Sequence, residues 1–133
     1  MPANITPGSC FILPFPNEDH KHLFIIISKV DEKTGNVVIV SVTTIDSKKI
    51  DSTTVLAAGD HPFIKHDSYV DYYNARTLLI THLFDLIKQK KAVVQDPVSP
   101  DILERVISGV TKSSRTKFDI RDMFLDDLFK KLS

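Results

Sequence analysis

The residues best suited to chemistry crowd into one window, 59–76, with the sequence GDHPFIKHDSYVDYYNAR. It holds His61 and His66, two of the chain's five histidines, with Asp60 and Asp67 beside them. All three tyrosines (Tyr69, Tyr72 and Tyr73) follow, and Arg76 comes at its end. Imidazole changes charge near neutral pH, so a pair of histidines can divide the roles of general acid and base. Arginine is permanently charged and offers a forked set of donors to an anion. Tyrosine rings can stack on a flat ligand. The same types also have a structural use: a His-Pro turn beside an Asp can simply bond backbone N–H groups, and buried tyrosines commonly belong to a core. A metal is a poor match. His61 and His66 are separated by four residues rather than set at the i, i+4 spacing of a helical pair. The chain has one cysteine, whereas structural zinc sites take several. No metal and no cofactor is therefore assigned.

The elements that must position this window follow from turn residues and apolar periodicity. Gly59 and Pro62 mark a turn entering it, and the pattern past Asp67 is strand-like. So the histidines are expected on a loop that delivers the chain into a strand, a common setting for function. Upstream, 9–13 (SCFIL) reads as a short strand ended by Pro14 and Pro16. The run 22–30 (HLFIIISKV) is too apolar for either face to meet water and reads as a central strand. A DEKTGN turn at 31–36 returns the chain into 36–44 (NVVIVSVTT), the strongest hairpin signal present. Segments 17–21 and 45–52 read as polar loops, 53–58 and 75–80 as further strands, and 92–95 as ambiguous.

Thr81 is expected to cap a helix over 82–90, with Lys88, Lys90 and Lys91 crowding its last turn. Ser99-Pro100 reads as the cap and first residue of a second helix, with Ile102, Leu103, Val106, Ile107 and Val110 on its apolar face. A basic linker, KSSRTK at 112–117, leads to a last helix starting at Asp119. Its apolar face (Ile120, Met123, Phe124, Leu128, Leu132) needs a partner surface.

The reading is one domain of 133 residues: a β-barrel core over 7–80, a helix-and-strand insertion over 81–98, and two C-terminal helices over 99–133. Short strands followed by helices predict a small, strongly bent barrel, mainly β, with helices packed outside. Seventeen basic residues balance seventeen acidic ones, so no global field steers the chain to nucleic acid and an anion must be held by a local patch. The chain lacks an apolar run long enough for a transmembrane helix and a visible signal peptide. Cys10, the lone cysteine, sits in an apolar run and reads as a buried inert thiol. Both points fit a reducing cytoplasm.

By the end of the second hairpin strand the chain resembles the MazF/PemK toxin family, SH3-like barrels that cleave RNA. Residues 7–13 (PGSCFIL) resemble that family's opening strand, with Ser9 where Asp is usual. Residues 24–28 (FIIIS) and 38–44 (VIVSVTT) resemble its second and third strands, 67–70 (DSYV) a later strand entry, and 98–106 the start of its closing helix. The resemblance implies metal-independent cleavage of single-stranded RNA, a homodimer, and an antitoxin whose disordered segment lies in the barrel groove. It also implies that Thr43 is the functional threonine closing the third strand. The family's Arg-Pro pair at the start of the second strand is replaced by His22-Leu23, after Lys21. The cation would then come from Lys21, His66 or Arg76.

On that reading, one group takes the proton of a 2′-hydroxyl and another protonates the leaving 5′-oxygen, while a cation steadies the charge on phosphorus. His22, His61 and His66 are the proton-transfer candidates. Arg76, Lys21 or Lys65 would hold phosphate, Thr43 would donate a hydrogen bond to it, and Tyr69 or Tyr72 would stack on a base. The expectation is that the loops bearing His22, His61 and His66 converge near Thr43. The alternative is a non-catalytic SH3-like module that binds a protein or nucleic acid.

Overall fold

The computed structural model describes residues 5–14, 21–45 and 50–132. The hairpin forms the middle of the sheet. Strands β2 (Lys21–Ile26) and β3 (Asn36–Thr44) pair antiparallel with Leu23 opposite Val42 and Ile26 opposite Ile39. The turn closes because the Asp31 carboxylate accepts the N–H groups of Lys33 (2.7 Å) and Thr34 (3.1 Å). Those two bonds hold its carboxyl below the usual value. Gly35 follows at φ +77°, a conformation that side chains oppose.

Around this pair lie β1 (Cys10–Pro14), β4 (Val55–Leu56), β5 (Ser68–Leu79) and β6 (Val93–Gln95). They form one curled six-stranded sheet, a half-barrel in the order β4-β5-β3-β2-β1-β6 with every pair antiparallel. Three helices complete the chain: α1 (Ile80–Lys88), α2 (Pro100–Lys112) and α3 (Phe118–Leu132). The chain is mainly β with helices toward its C-terminal end, as expected; β2 ends at Ile26 rather than running to 30, and three further differences stand out.

First, the strand expected over 53–58 shrinks to two residues. Second, the two strands expected over 69–72 and 75–80 are one long β5. Third, Thr81 is not a cap. Strand β5 runs directly into α1, and the Ile80 N–H is taken by the Gly35 carbonyl at 2.9 Å, so backbone replaces the side-chain cap. Ser99 does cap α2, accepting from the Ile102 N–H, with Pro100 in the first turn. The loops read at 17–21 and 45–52 fall largely outside the described residues.

Strands β2 and β3 are apolar on both sides because both sides are covered. On one face Leu23, Ile25, Val38, Val40, Val42, Val70 and Tyr72 meet Ile102, Val106 and Val110 of α2 and Ile120 of α3. On the other, Phe11, Phe24, Ile26, Val37 and Ile39 meet Leu83 of α1. We call these the α2 face and the α1 face. Helices therefore cover both faces of the sheet, and α2 contributes to the main core rather than decorating a closed barrel.

Strand β5 is broken by a wide bulge. Ser41 faces Asp71 and Ile39 faces Arg76, so residues 72–75 stand opposite Val40 alone. The excess on β5 is odd, which reverses the alternation of its side chains. Tyr72 turns inward, fully buried, donates to the Val106 carbonyl (2.7 Å) and shares a hydrogen bond with Thr54 (2.8 Å). Burial pushes its phenol up to about 12. The phenol lies against Gly109 of α2, where a Cβ would stand 2.0 Å from its oxygen and 2.6 Å from Thr54 Oγ1. Glycine inside a helix costs about 1 kcal/mol relative to alanine. Overpacking a tight contact costs about 1–3 kcal/mol, so glycine wins here. Nearby, Asp51 accepts from Ser113 Oγ (2.5 Å) and from the Thr53 N–H (3.0 Å), tying the approach to β4 to the end of α2.

Gly109→Ala is expected to lower stability by up to about 2 kcal/mol, its better helix propensity offsetting about 1 kcal/mol of the overpacking cost. Combined with Tyr72→Phe, which removes the clashing oxygen, the loss should be smaller than the sum of the two single changes; additive losses in denaturant melts would contradict the close approach.

A second expectation concerns pH. Burial opposes the charge on Asp51, but the bonds from Ser113 and Thr53 and the nearby Arg115 outweigh it and hold the carboxyl below its ordinary 3.8. A depressed carboxyl contributes stability above its unfolded value, and that contribution is lost as pH falls through the folded one. Asp51→Asn should thus lower the melting temperature at neutral pH. The gap from wild type should narrow as pH drops below about 4.

Candidate functional site

The sheet register sorts the expected site residues between the two faces. On the α1 face, Leu13 stands opposite His22 and Thr43 opposite Tyr69. His22 and Thr43 are the next positions beyond the Leu23–Val42 pair. Residues directly across neighbouring strands share a face at about 5 Å. Leu13, His22, Thr43 and Tyr69 therefore form one row across β1, β2, β3 and β5. The next row is Phe11, Phe24, Ser41 and Asp71, and the one after it contains Ile26, Ile39 and Arg76. Helix α1 covers the Ile26–Ile39 end. At the other end His22, Thr43 and Tyr69 are half-buried and partly open to solvent.

Arg76 belongs to this face only because of the bulge. Counted along an unbroken strand it would lie on the side of Tyr72. Its guanidinium carbon sits 5.4 Å from the centre of the Phe24 ring, and Phe24 in turn stacks on Phe11 at 5.5 Å. Stacking on a buried aromatic holds the planar cation over the sheet and leaves its edge donors available. Arg76 is exposed and makes no ion pair with any described residue. Among the described strand residues one acid shares the face: Asp71, whose Oδ2 accepts from Asn74 at 2.6 Å.

The rest of the 59–76 window goes elsewhere. His61 is 2% exposed. Its Nδ1 accepts the Phe63 N–H at 2.9 Å, which leaves the proton on Nε2 to donate to the Asp96 carbonyl at 2.5 Å. Both ring nitrogens are occupied, and the loop packs through Ile64 and Phe63 into the α2-face core. The expected convergence of His61 with His22 and Thr43 does not occur, because that loop folds under the other face of the sheet. There it joins the connection after β4 to the connection after β6. These strands are opposite edges of the sheet, so the His61–Asp96 bond holds the curl closed.

Tyr72 is likewise buried and cannot stack on a base. Cys10 is buried, and burial pushes its thiol up to about 12. His66 is exposed. The Asp67 carbonyl accepts from Ile45 N–H, which puts His66 at the same end of the sheet as Thr43. Lys65 is exposed on the same loop. Lys21 opens β2, but its side chain lies outside the described residues.

The window expected to hold the site is thus split, and Ser41, Asp71 and the buried Phe24, which sequence reasoning passed over, belong to the α1 face. The signal that finds them is strand register: counting in twos from His22 and Thr43 reaches Phe24 and Ser41 directly. Among the described residues no three His, Cys, Asp or Glu side chains stand close enough to hold a metal ion. No helix among them is long and apolar enough to cross a membrane. Compared with models of known protein families and with curated protein sequences, the chain matches none.

Removing the buried His61 ring takes away the partner of the Phe63 N–H and of the Asp96 carbonyl. His61→Ala is expected to cost about 1–3 kcal/mol. The exposed His66→Ala should cost less than about 0.5 kcal/mol. Equal melting temperatures for the two variants would remove His61 from its structural role.

Proposed function

We propose that the open end of the α1 face is the site of a metal-independent endoribonuclease acting on single-stranded RNA. On this reading the chain is a divergent MazF/PemK-like toxin with an SH3-like barrel, restrained by an antitoxin protein and working as a cytoplasmic homodimer. The observation that carries it is Arg76: a guanidinium stacked over Phe24, without an acidic partner among the described residues, on the same face as the His22–Thr43–Tyr69 row. An unpaired, pre-oriented arginine beside a histidine and a hydroxyl is what a phosphodiester needs.

His22 transfers protons, taking one from the 2′-hydroxyl as its oxygen attacks phosphorus. The 5′-oxygen leaves with a proton, and the products are a 2′,3′-cyclic phosphate and a free 5′-hydroxyl. Arg76 binds the non-bridging oxygens, and Thr43 donates a hydrogen bond to one of them. Tyr69 stacks on the neighbouring base. His66, at the same end of the sheet, is the second proton carrier. His61 and Tyr72 have no part in the reaction.

A non-catalytic SH3-like module is the second reading. It is favoured by Asp71, which adds a negative charge to the same face of a chain with no net charge.

Purified protein incubated with single-stranded RNA and EDTA separates the two. Cleavage with cyclic-phosphate ends is expected. His22→Ala should slow it by about 10²–10⁴-fold. Arg76→Gln should impair it too, with Arg76→Lys failing to restore it fully. Wild-type rates in both His22→Ala and Arg76→Gln would end the catalytic reading.

A further inference from the structure

The bulge in β5 has an outer side as well as an inner one. As Tyr72 turns into the core, Tyr73 is thrust out, 58% exposed. The ammonium of Lys117 lies 5.5 Å from the centre of the Tyr73 ring. Phe118, next in the chain and first in α3, is 79% exposed, the most exposed of the large apolar side chains described. These residues close the basic linker between α2 and α3. Its sequence, KSSRTK, carries Lys112, Arg115 and Lys117 and no acid. All three cations are exposed.

The exposure has a structural cause on each side. Strand β4 covers β5 only at Ser68 and Tyr69, so nothing in the sheet lies beside Tyr73. Helix α3 docks through Ile120, which is 2% exposed, and that leaves Phe118 facing solvent.

Two exposed rings beside three exposed cations, of which Arg115 also lies near Asp51, form a surface of definite chemistry. Protein-binding patches are usually apolar at the centre and depleted in lysine. Single-stranded nucleic acids are held by aromatic faces that stack on bases, together with cations that track the phosphates. In a chain whose charges otherwise cancel, a local cluster is the only way to attract a polyanion.

We propose that Tyr73, Phe118 and the 112–117 linker form a second docking surface for single-stranded RNA, where bases beyond the cleaved linkage stack. The choice of RNA as the occupant rests on the function proposed above. Tyr73 lies on the same strand as Tyr69 and Arg76, so one extended chain would pass from the open α1 face over the bare edge of β5 to this patch. Tyr73 and Phe118 supply stacking, and Lys117, held over the Tyr73 ring, pairs with a phosphate next to the stacked base.

The test is binding of a fluorescent single-stranded RNA of about 12 nucleotides to the full chain, measured by anisotropy between 50 and 200 mM salt with EDTA present. Both ring variants are exposed, so their melting temperatures should match wild type. Tyr73→Ala combined with Phe118→Ala should weaken binding by at least about tenfold. Lys117→Gln should lower the slope of log K against log salt by close to one phosphate contact, about 0.7 for a single strand.

Wild-type affinity in the double variant would overturn this inference while leaving the function proposed above intact. Lost binding in the double variant with full binding in Arg76→Gln would support the patch and count against the α1-face site. Wild type that binds no RNA even at low salt would overturn both.

Discussion

Much of this molecule hangs on one buried phenol. Tyr72 follows Val70 on the α2 side of β5, at the start of a bulge that sets four residues of β5 opposite one of β3, and there it reaches the α2 carbonyl at Val106. Helix α2 can come that close only because Gly109 has no side chain. The contact joins the sheet, the helix and, through Thr54, the segment before β4. An unmade hydrogen bond in this dry setting would be expensive, so hydroxyl, carbonyl and threonine fix one another's positions. The same bulge has effects at a distance. It reverses the alternation of β5, which brings Arg76 to the face of His22 and Thr43, and it pushes Tyr73 into solvent.

Fold and candidate chemistry are thus coupled through the parity of a strand. One face of the sheet is filled by α2 and the loop carrying His61, where the hydrogen bonds of His61, Tyr72 and Thr54 serve the architecture. The other is only half covered, since α1 is nine residues long and shields the Ile26–Ile39 end. The uncovered end keeps polar residues, and Arg76, rooted opposite Ile39, reaches toward it over the buried Phe24. A cation lying on an apolar ring loses less hydration than one buried in a cavity, so its charge stays available to an anion.

The two histidines that dominate the sequence illustrate how identical side chains part company. His61 follows a turn that tucks under the sheet, and its imidazole replaces the hydrogen bonds that two backbone groups would lose on burial. His66, five positions on, stays at the surface. Residue type and local clustering mark both equally. Only the path of the loop distinguishes a tie between the edges of the sheet from an accessible imidazole.

Local chemistry in the sequence determined the elements. The DEKTGN turn, the Ser99-Pro100 start and the spacing of Ile102, Val106 and Val110 each carry their own conformational preference and formed where it pointed, and the apolar run 22–30 became a strand up to Ile26. Resting on the same local rules, strand alternation also placed His22 and Thr43 on a common face once their pairing was known. What the sequence could not contain was the register of β5 against β3, because pairing and its bulges are settled between strands that lie some thirty residues apart in the chain. That single non-local choice set the side on which Arg76 and Tyr73 appear. The fate of His61 was settled in the same way, by a carbonyl thirty-five positions away. Nearest-neighbour preferences fix what a segment becomes; the partner it meets in space fixes which of its side chains remain free to act.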